Sequence, residues 1–191
     1  MDNLINEILQ ESKEKKKIIN IRNYDSNDDS FYCGYVIDFN DEIIQIKHFS
    51  IYGKDDGISI QKIENIANIE FDEDYSAAIQ YLVQNNINLD KSNISDCNFD
   101  FLNNWRFNIL SKFLDYKIII LIEDYKLEKI CGFVHKLTES ELIIKPIGKL
   151  GEDEGFSLYK LSDINSIQPD DLECRKRLLL YKWKYNINSS N

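Results

Sequence analysis

The alternation of apolar and polar residues along the chain predicts ten short strands and four helices. Each half of the chain holds five runs of four to nine residues rich in isoleucine, valine and aromatic residues. Runs of this length and composition are typical of β-strands. The predicted strands are 17–23, 31–39, 42–49, 58–63 and 66–71 in the first half, and 117–124, 129–137, 141–147, 156–161 and 164–167 in the second.

Apolar residues recur at helical spacing before and after each set of strands. Segments 4–16 and 101–114 precede the strands, and segments 75–83 and 172–185 follow them. Spacings of three and four residues put these apolar side chains on one side of a helix. Asp72 or Asp74 can cap the helix predicted at 75–83. Within the fourth strand of each half, Ile58, Ile60, Phe156 and Leu158 alternate with polar residues, which predicts half-buried strands.

The order of elements repeats because the sequence itself repeats. Residues 33–72 align without a gap on residues 131–170, and 13 of the 40 aligned positions are identical. Identical pairs include Cys33/Cys131, Gly34/Gly132 and Gly53/Gly151. An interior glycine in the second predicted strand of each copy often marks a bend or a bulge. The chain is therefore predicted to hold two copies of one small, mostly β unit.

The repeat sets the predicted domain boundaries. Residues 1–86 form the first helix, strands and closing helix, and residues 99–186 form the second set. Segment 87–98 is rich in Asn, Ser and Asp and lacks strong periodicity, which predicts a linker. The last residues, 187–191, are predicted to be a disordered tail. The fold class expected from this organisation is α+β and mostly β, with two tandem five-stranded small barrels, each flanked by helices.

The element order and glycine placement resemble Sm-like and SH3-like small barrels. Sm proteins have a first motif of a glycine, an apolar residue, an acidic residue and an amide. Gly34, Val36, Asp38 and Asn40 match that motif loosely, whereas the second copy has Lys136 and Thr138 at the last two positions. The second Sm motif contains Arg and Gly, and this chain instead has Gln61-Lys62 and Tyr159-Lys160. The resemblance therefore implies the barrel fold without carrying over uridine binding.

Charge differs between the two copies. Residues 1–98 carry 19 acidic and 9 basic side chains, whereas residues 99–191 carry 14 of each, so the whole formal net charge of -10 belongs to the first copy. An acidic surface repels phosphate backbones and speeds encounters with basic proteins. The expected partner is a basic protein, although the same acidity could simply keep the protein soluble. Apolar runs are too short to span a membrane, and residues 1–10 lack the features of a signal peptide, so a cytoplasmic location is expected.

Acidic residues of the first copy are the candidate partner-binding residues. They fall in three places: the loop after the first strand, the glycine loop 53–57, and the segment that follows the last strand. Together they could form an acidic face for a basic protein, or they could be solvent-facing charges at loops and a helix start. The candidates are Asp25, Asp28, Asp29, Asp55, Asp56, Glu70, Asp72, Glu73 and Asp74.

Neither catalysis nor metal binding is predicted. The acidic glycine loops, 53–57 and 151–155, lack the alternating ligand spacing of a calcium loop, and no cysteine pair has zinc-ligand spacing. Free thiols are expected at Cys33, Cys97, Cys131 and Cys174. His48 and His135 lie at inequivalent positions and have no nucleophile beside them in sequence. No cofactor and no enzymatic activity are therefore expected.

A non-catalytic protein-binding protein is the preferred interpretation. Its most concrete form is a bacterial immunity protein that neutralises a basic toxin by occlusion, an analogy with a class rather than an inference from residues. The alternative is an Sm-like RNA-binding regulator that uses Arg175, Lys176 and Arg177 on the C-terminal helix. A hydrolase that uses the acidic loops at Asp55 and Asp56 is a third hypothesis. Each hypothesis predicts a different effect of substitution at its residues.

Overall fold

The computed structural model describes residues 4–24, 31–90, 94, 104–116 and 118–187. The chain divides into two compact units, Met1–Asn86 and Ile87–Asn191. Both units are α+β and mostly strand. Within the described residues, no helix is long and apolar enough to cross a membrane.

The first unit contains two helices and one sheet. Helix α1 precedes five strands, and helix α2 closes the unit. A three-residue 3₁₀ helix, Ile63–Asn65, joins the fourth and fifth strands. The bounds are α1 Leu4–Lys15, β1 Ile19–Asn23, β2 Tyr32–Phe39, β3 Ile43–Phe49, β4 Asp55–Lys62, β5 Ile66–Phe71 and α2 Asp74–Asn85.

The second unit repeats this order. Its 3₁₀ helix, Leu161–Asp163, again joins the fourth and fifth strands. The described residues begin at position 104 here, so predicted helix residues 101–103 lie outside them. The bounds are α3 Trp105–Tyr116, β6 Ile119–Asp124, β7 Lys129–Leu137, β8 Glu141–Pro146, β9 Ser157–Lys160, β10 Ile164–Pro169 and α4 Leu172–Lys184.

Each unit forms a five-stranded antiparallel sheet. The strand orders are β4-β3-β2-β1-β5 and β9-β8-β7-β6-β10. The register repeats as well: Val36 pairs with Ile46, Val134 pairs with Ile144, and the same irregularity follows Val36 and Val134. The predicted α+β class and the five strands per copy are thereby confirmed. The sheets are not closed into barrels, and closure stays a prediction.

The two cores use matching residues. Helix α1 and strand β1 correspond to α3 and β6 at a shift of 101 residues, and the rest corresponds at a shift of 98, because three fewer residues separate β6 from β7. Burial of apolar side chains at equivalent places confirms the duplication. The equivalent buried pairs are Leu9/Leu110, Ile19/Ile120, Ile21/Ile122, Val36/Val134, Ile44/Leu142, Ile46/Ile144 and Ile66/Ile164.

The repeated strand glycine serves close packing rather than a bulge. A Cβ atom at Gly34 would lie 1.9 Å from the carbonyl oxygen of Lys47, and one at Gly132 would lie 2.2 Å from that of Lys145. Any side chain there would separate the second and third strands. The bulge lies three residues later, between Val36 and Asp38. The prediction of a bulge at the glycine itself was therefore wrong, and a bend there stays a prediction.

The predicted linker and tail are only partly described. Asn86–Leu89 forms a 3₁₀ helix, and Leu89 is buried. The carbonyl of Leu89 accepts a hydrogen bond from Nε of Arg175 at 2.7 Å, so the start of segment 87–98 packs into the second unit. At the other end, the backbone amide of Ile187 donates to Lys182. Residues 91–93, 95–100 and 188–191 lie outside the described part of the chain.

Candidate functional site

An acidic cleft in the first unit lies between the β2–β3 turn and the 3₁₀ helix after β4. Asn40 shapes the turn, because its Oδ1 accepts from the amides of Glu42 and Ile43, both at 2.9 Å. The amide of Ile63 donates to the carbonyl of Glu42 and ties the two walls together. The cleft holds about 320 Å³ and is lined by Asp41, Glu42, Ile43, Lys62 and Glu64.

The second unit has a cleft at the equivalent place. Thr138 replaces Asn40 and holds the turn through its Oγ1, which accepts from the amide of Glu141 at 3.0 Å. The backbone pairing is also conserved, since the amide of Leu161 donates to the carbonyl of Ser140. This cleft holds about 490 Å³ and is lined by Asn104, Arg106, Glu139, Ser140, Glu141, Lys160, Leu161 and Ser162.

The two clefts differ in charge. Three carboxylates face one lysine in the first, whereas two carboxylates face Arg106 and Lys160 in the second. Lys62 and Glu64 form an ion pair at 2.8 Å. The hydrogen bond between them raises the pKa of Lys62 and lowers the pKa of Glu64. Asp41 and Glu42 remain exposed on the turn, so the first cleft carries excess negative charge.

Prediction from the sequence missed these cleft residues, although the repeat contains the signal. At the shift of 98 residues, Glu42 aligns with Ser140 and Glu64 aligns with Ser162. Two carboxylates of one copy are therefore neutral hydroxyls in the other. Comparing charge position by position between the copies would have identified the cleft, whereas clusters of consecutive acidic residues did not.

The glycine-loop candidates have local structural roles. Asp55 pairs with Lys47 at 2.6 Å and accepts from the amide of Gly57 at 2.9 Å. These two hydrogen bonds lower the pKa of Asp55. The second unit repeats the arrangement with Asp153, which pairs with Lys145 at 2.7 Å. Asp56 lies 3.2 Å from Nδ1 of His48. Asp55 therefore links the start of β4 to β3.

The candidates at the end of β5 and at the start of α2 also make contacts within the first unit. Glu70 lies 3.5 Å from Arg22, and Asp72 pairs with Lys17 at 2.7 Å. Glu73 caps α2 by accepting from the amide of Ser76 at 2.7 Å, as Asp171 caps α4 in the second unit. Asp74 is exposed in the first turn of α2. Glu73 is thus the cap that was predicted at Asp72 or Asp74.

The structure does not gather the predicted acidic residues onto one face. Asp55 and Asp56 begin β4, at one end of the strand order, whereas Glu70 lies on β5, at the other end. Three strands lie between β4 and β5 in that order. Asp25, Asp28 and Asp29 lie outside the described residues. The described candidates thus make local ion pairs and a helix cap, and their role in partner binding stays a prediction.

The basic residues of helix α4 are committed to the second unit. Arg175 donates to the carbonyls of Leu89 and Asp170. Lys176 is 7% exposed and pairs with Glu173 at 2.9 Å. Arg177 also bonds Glu173 and donates to the carbonyl of Ile147 at 2.8 Å. The three residues that the RNA-binding alternative uses therefore make contacts within the second unit.

The described cysteine side chains are buried, and both histidines lie on strands. Burial raises the pKa of the Cys33 thiol to about 12. Cys131 and Cys174 are buried free thiols whose Sγ atoms lie 3.2 Å apart, and that contact raises the pKa of Cys174. His48 is half-buried, and His135 is exposed with its ring 4.5 Å from Phe156. Among the described residues, no group of three or more potential ligands could hold a metal ion.

Comparisons with known proteins do not assign the chain to a family. No protein-family model, no curated protein and no solved structure matches it.

Proposed function

We propose that this chain is a non-catalytic protein-binding protein whose first unit binds a basic protein at the acidic cleft. One observation supports this proposal most strongly: the first unit's cleft has carboxylates at Glu42 and Glu64, where the equivalent cleft of the second unit has Ser140 and Ser162. Because the surrounding backbone is the same, the difference concerns charge rather than folding. Clustered negative charge attracts a positively charged partner and speeds association.

The most concrete version remains an immunity protein that neutralises a basic toxin by covering its active surface. The carboxylates of the cleft would steer the encounter, and exposed apolar side chains near the cleft, such as Ile43, would contribute buried area. Ile43 lines the cleft and is 42% exposed. This role requires occlusion and no chemical step.

The test is affinity capture of the intact chain in its native cells. We expect capture of a basic protein in stoichiometric amount, and we expect the Glu42→Lys, Glu64→Lys double variant to lose it. The matched control is Ser140→Lys, Ser162→Lys, which introduces the same two lysines at the equivalent positions of the second unit but removes no carboxylate. Absence of any basic partner, or equal capture by both variants, would overturn the proposal.

We also infer that each sheet curls into a small barrel of the Sm-like or SH3-like type. The outermost strands β4 and β5 are joined by only Ile63–Asn65. A flat five-stranded sheet would put these strands roughly 19 Å apart, whereas the connection from Lys62 to Ile66 spans at most about 14 Å. The short connection therefore requires the sheet to curl, so that the end of β4 and the start of β5 approach each other, and this supports the inference. Through-space NMR contacts between the two edges would test it.

An Sm-like RNA-binding regulator is the second candidate. The observation in its favour is that Arg106 and Lys160 line the cleft of the second unit, although Nε of Arg106 donates to the carbonyl of Ile164 at 2.6 Å. Electrostatic contact with phosphates would make binding weaken steeply with salt. Single-stranded RNA binding that is lost in Lys160→Glu would support this candidate, and no binding at low salt would reject it.

A further inference from the structure

The fourth strand of each unit presents its apolar side chains to solvent. Ile58 and Ile60 on β4 are 55% and 64% exposed, and Phe156 and Leu158 at β9 are 60% and 62% exposed. The alternate residues on these strands, Ser59, Gln61 and Tyr159 among them, are half-buried. The alternation predicted from the sequence is present, but the apolar side of each strand faces solvent. Both copies keep this arrangement while their charges have diverged.

Although the sheets curl, they are not closed into barrels, so both of these strands keep an open edge. Among the described strands, β4 pairs only with β3, and β9 pairs only with β8. The amide of Ile63 points toward β3 because it donates to Glu42. Backbone direction alternates along a strand, so the amides of Ile58, Ile60 and Lys62 point away from β3. In the second unit the amide of Leu161 donates to the carbonyl of Ser140. By the same alternation, the amides of Leu158 and Lys160 point away from β8.

An edge with outward amides and apolar side chains can accept another strand. Main-chain hydrogen bonds would supply affinity, and the alternating side chains would supply specificity. Natural proteins usually protect such edges with charges or proline on the exposed side. Here the exposed side has large apolar residues at two equivalent places instead, which favours a surface that is covered by a partner.

Carboxylates flank these edges at both ends in both units. Asp55 and Asp56 begin β4, and Asp41 on the β2–β3 turn lies at its other end, where Ile43 pairs with Lys62. The positions equivalent to these three are also acidic. The equivalent acidic pairs are Asp41/Glu139, Asp55/Asp153 and Asp56/Glu154.

We propose that β4 and β9 are two equivalent docking edges, each of which binds an extended segment of a basic partner protein as an added strand. The segment has apolar side chains at alternating positions and lysine or arginine at its ends, to match the carboxylates. The inference rests on the proposed function for the basic character of the partner. It adds the second unit to the binding surface and specifies how the partner is held.

The charge arrangement disfavours a second copy of this chain as the occupant. Pairing of β4 with β4 in antiparallel orientation brings Asp55 and Asp56 of one copy to the end of the other that holds Lys62 with Asp41, Glu42 and Glu64. Lys62 already pairs with Glu64 at 2.8 Å, so this end carries net negative charge. Parallel pairing brings each acidic end to its own counterpart. Either orientation therefore brings net negative ends together, which disfavours association of two copies.

A short synthetic peptide tests the proposal with the full chain. The probe has isoleucine, valine and isoleucine alternating with threonine between two pairs of lysines, and the control peptide has glutamates in place of the lysines. We expect two lysine peptides per chain by calorimetry and weak or no binding of the glutamate peptide. Hydrogen exchange at the amides of Ile60 and Leu158 should slow by about tenfold when nine-tenths of the sites are filled.

Substitutions on the exposed faces give the decisive comparison. Ile60→Lys should remove one site and Leu158→Lys the other, while Ile51→Lys changes a 50% exposed residue outside the strands and should leave both sites. Unchanged binding in the Ile60→Lys, Leu158→Lys double variant, self-association through these edges, or no peptide binding would each overturn the proposal. A native partner kept by that double variant but lost in Glu42→Lys, Glu64→Lys would reject docking at the edges and leave the proposed function intact.

Discussion

Asn23 on β1 donates a hydrogen bond from its side-chain amide to Oε1 of Gln61 on β4. Strands β2 and β3 lie between these two strands in the sheet. In a flat sheet, three strand spacings would separate them by roughly 14 Å. The contact therefore requires strong curvature of the first sheet and supports the inferred barrel. The second unit has Asp124 and Tyr159 at the equivalent positions, and Tyr159 packs against the core.

The Asn23–Gln61 contact gives a first prediction about stability. Nε2 of Gln61 is buried and makes no hydrogen bond with the described residues. Gln61→Met removes this group but also removes the acceptor used by Asn23, so we expect a loss of about 1–3 kcal/mol in the free energy of unfolding. The Asn23→Leu, Gln61→Met double variant should recover most of that loss. Denaturant unfolding of the original chain, the two single variants and the double variant measures these free energies. Losses that simply add in the double variant would contradict the prediction.

A buried serine in helix α1 gives a second prediction. Ser12 is completely buried at the position equivalent to Phe113. Its hydroxyl donates to the carbonyl of Lys17 at 2.8 Å and accepts from the amide of Val36 at 3.1 Å. Ser12→Ala leaves that amide without its partner, so we expect a cost of about 1–3 kcal/mol in unfolding free energy.

The matched change in the second unit is Phe113→Ala. It creates a cavity and should cost about 3–5 kcal/mol. Thermal or denaturant unfolding measures both variants. A Ser12→Ala variant as stable as the original chain would show that the hydroxyl does not anchor α1 to β2.

The helix caps give a third prediction. Asp171→Ala removes one side-chain cap and should lower the unfolding free energy by about 1 kcal/mol. Glu73→Ala should cost about 2–3 kcal/mol, because Glu73 also accepts a hydrogen bond from the buried side-chain amide of Asn20 at 2.6 Å. The control Asp41→Ala changes an exposed turn residue and should fall within about 0.5 kcal/mol of the original chain. A Glu73→Ala variant that weakens partner binding without losing stability would restore Glu73 as a binding residue.

Acid sensitivity gives a fourth prediction. Burial acts to raise the pKa of Glu173, but hydrogen bonds from Lys176 and Arg177 outweigh it, so the pKa lies below its ordinary value. A carboxyl whose pKa is lower in the folded state adds stability above the unfolded pKa, about 4.3, and loses it as pH falls through the folded pKa. The unfolding free energy should therefore decline below about pH 5.

The Glu173→Gln variant isolates this contribution. It should be less stable than the original chain at neutral pH and should approach it as pH falls, because the original then loses the same ion pairs. Urea unfolding between neutral pH and acid pH measures the difference. A difference that is constant across this range would contradict the linkage.

Much of the fold follows from local sequence signals. The repeat and the short β-branched runs gave the five strands of each copy, because period and length depend on neighbouring residues alone. Local signals did not predict which side of the fourth strand faces water. Alternation at Ile58 and Ile60 fixes that these residues share a side, but which side faces water depends on the curvature of the whole sheet.

The candidate site was harder to predict because acidic residues have two uses. Asp55 and Glu73 were selected as binding residues, yet one pairs with Lys47 and the other caps a helix. Those partners come from other elements or from backbone geometry, which clusters of charge in the sequence do not reveal. Glu42 and Glu64 lie far apart in sequence and are brought together only by the pairing of the β2–β3 turn with the 3₁₀ helix.

The decisive measurement is the dissociation constant of the captured basic partner for two lysine-substituted chains. We expect Glu42→Lys, Glu64→Lys to raise the dissociation constant by about tenfold or more at low salt, with the difference shrinking as salt screens the charges. Ser140→Lys, Ser162→Lys removes no carboxylate and should raise the dissociation constant less. Equal effects of the two double substitutions, or no effect of either, would contradict the claim that the first unit's cleft is the recognition site.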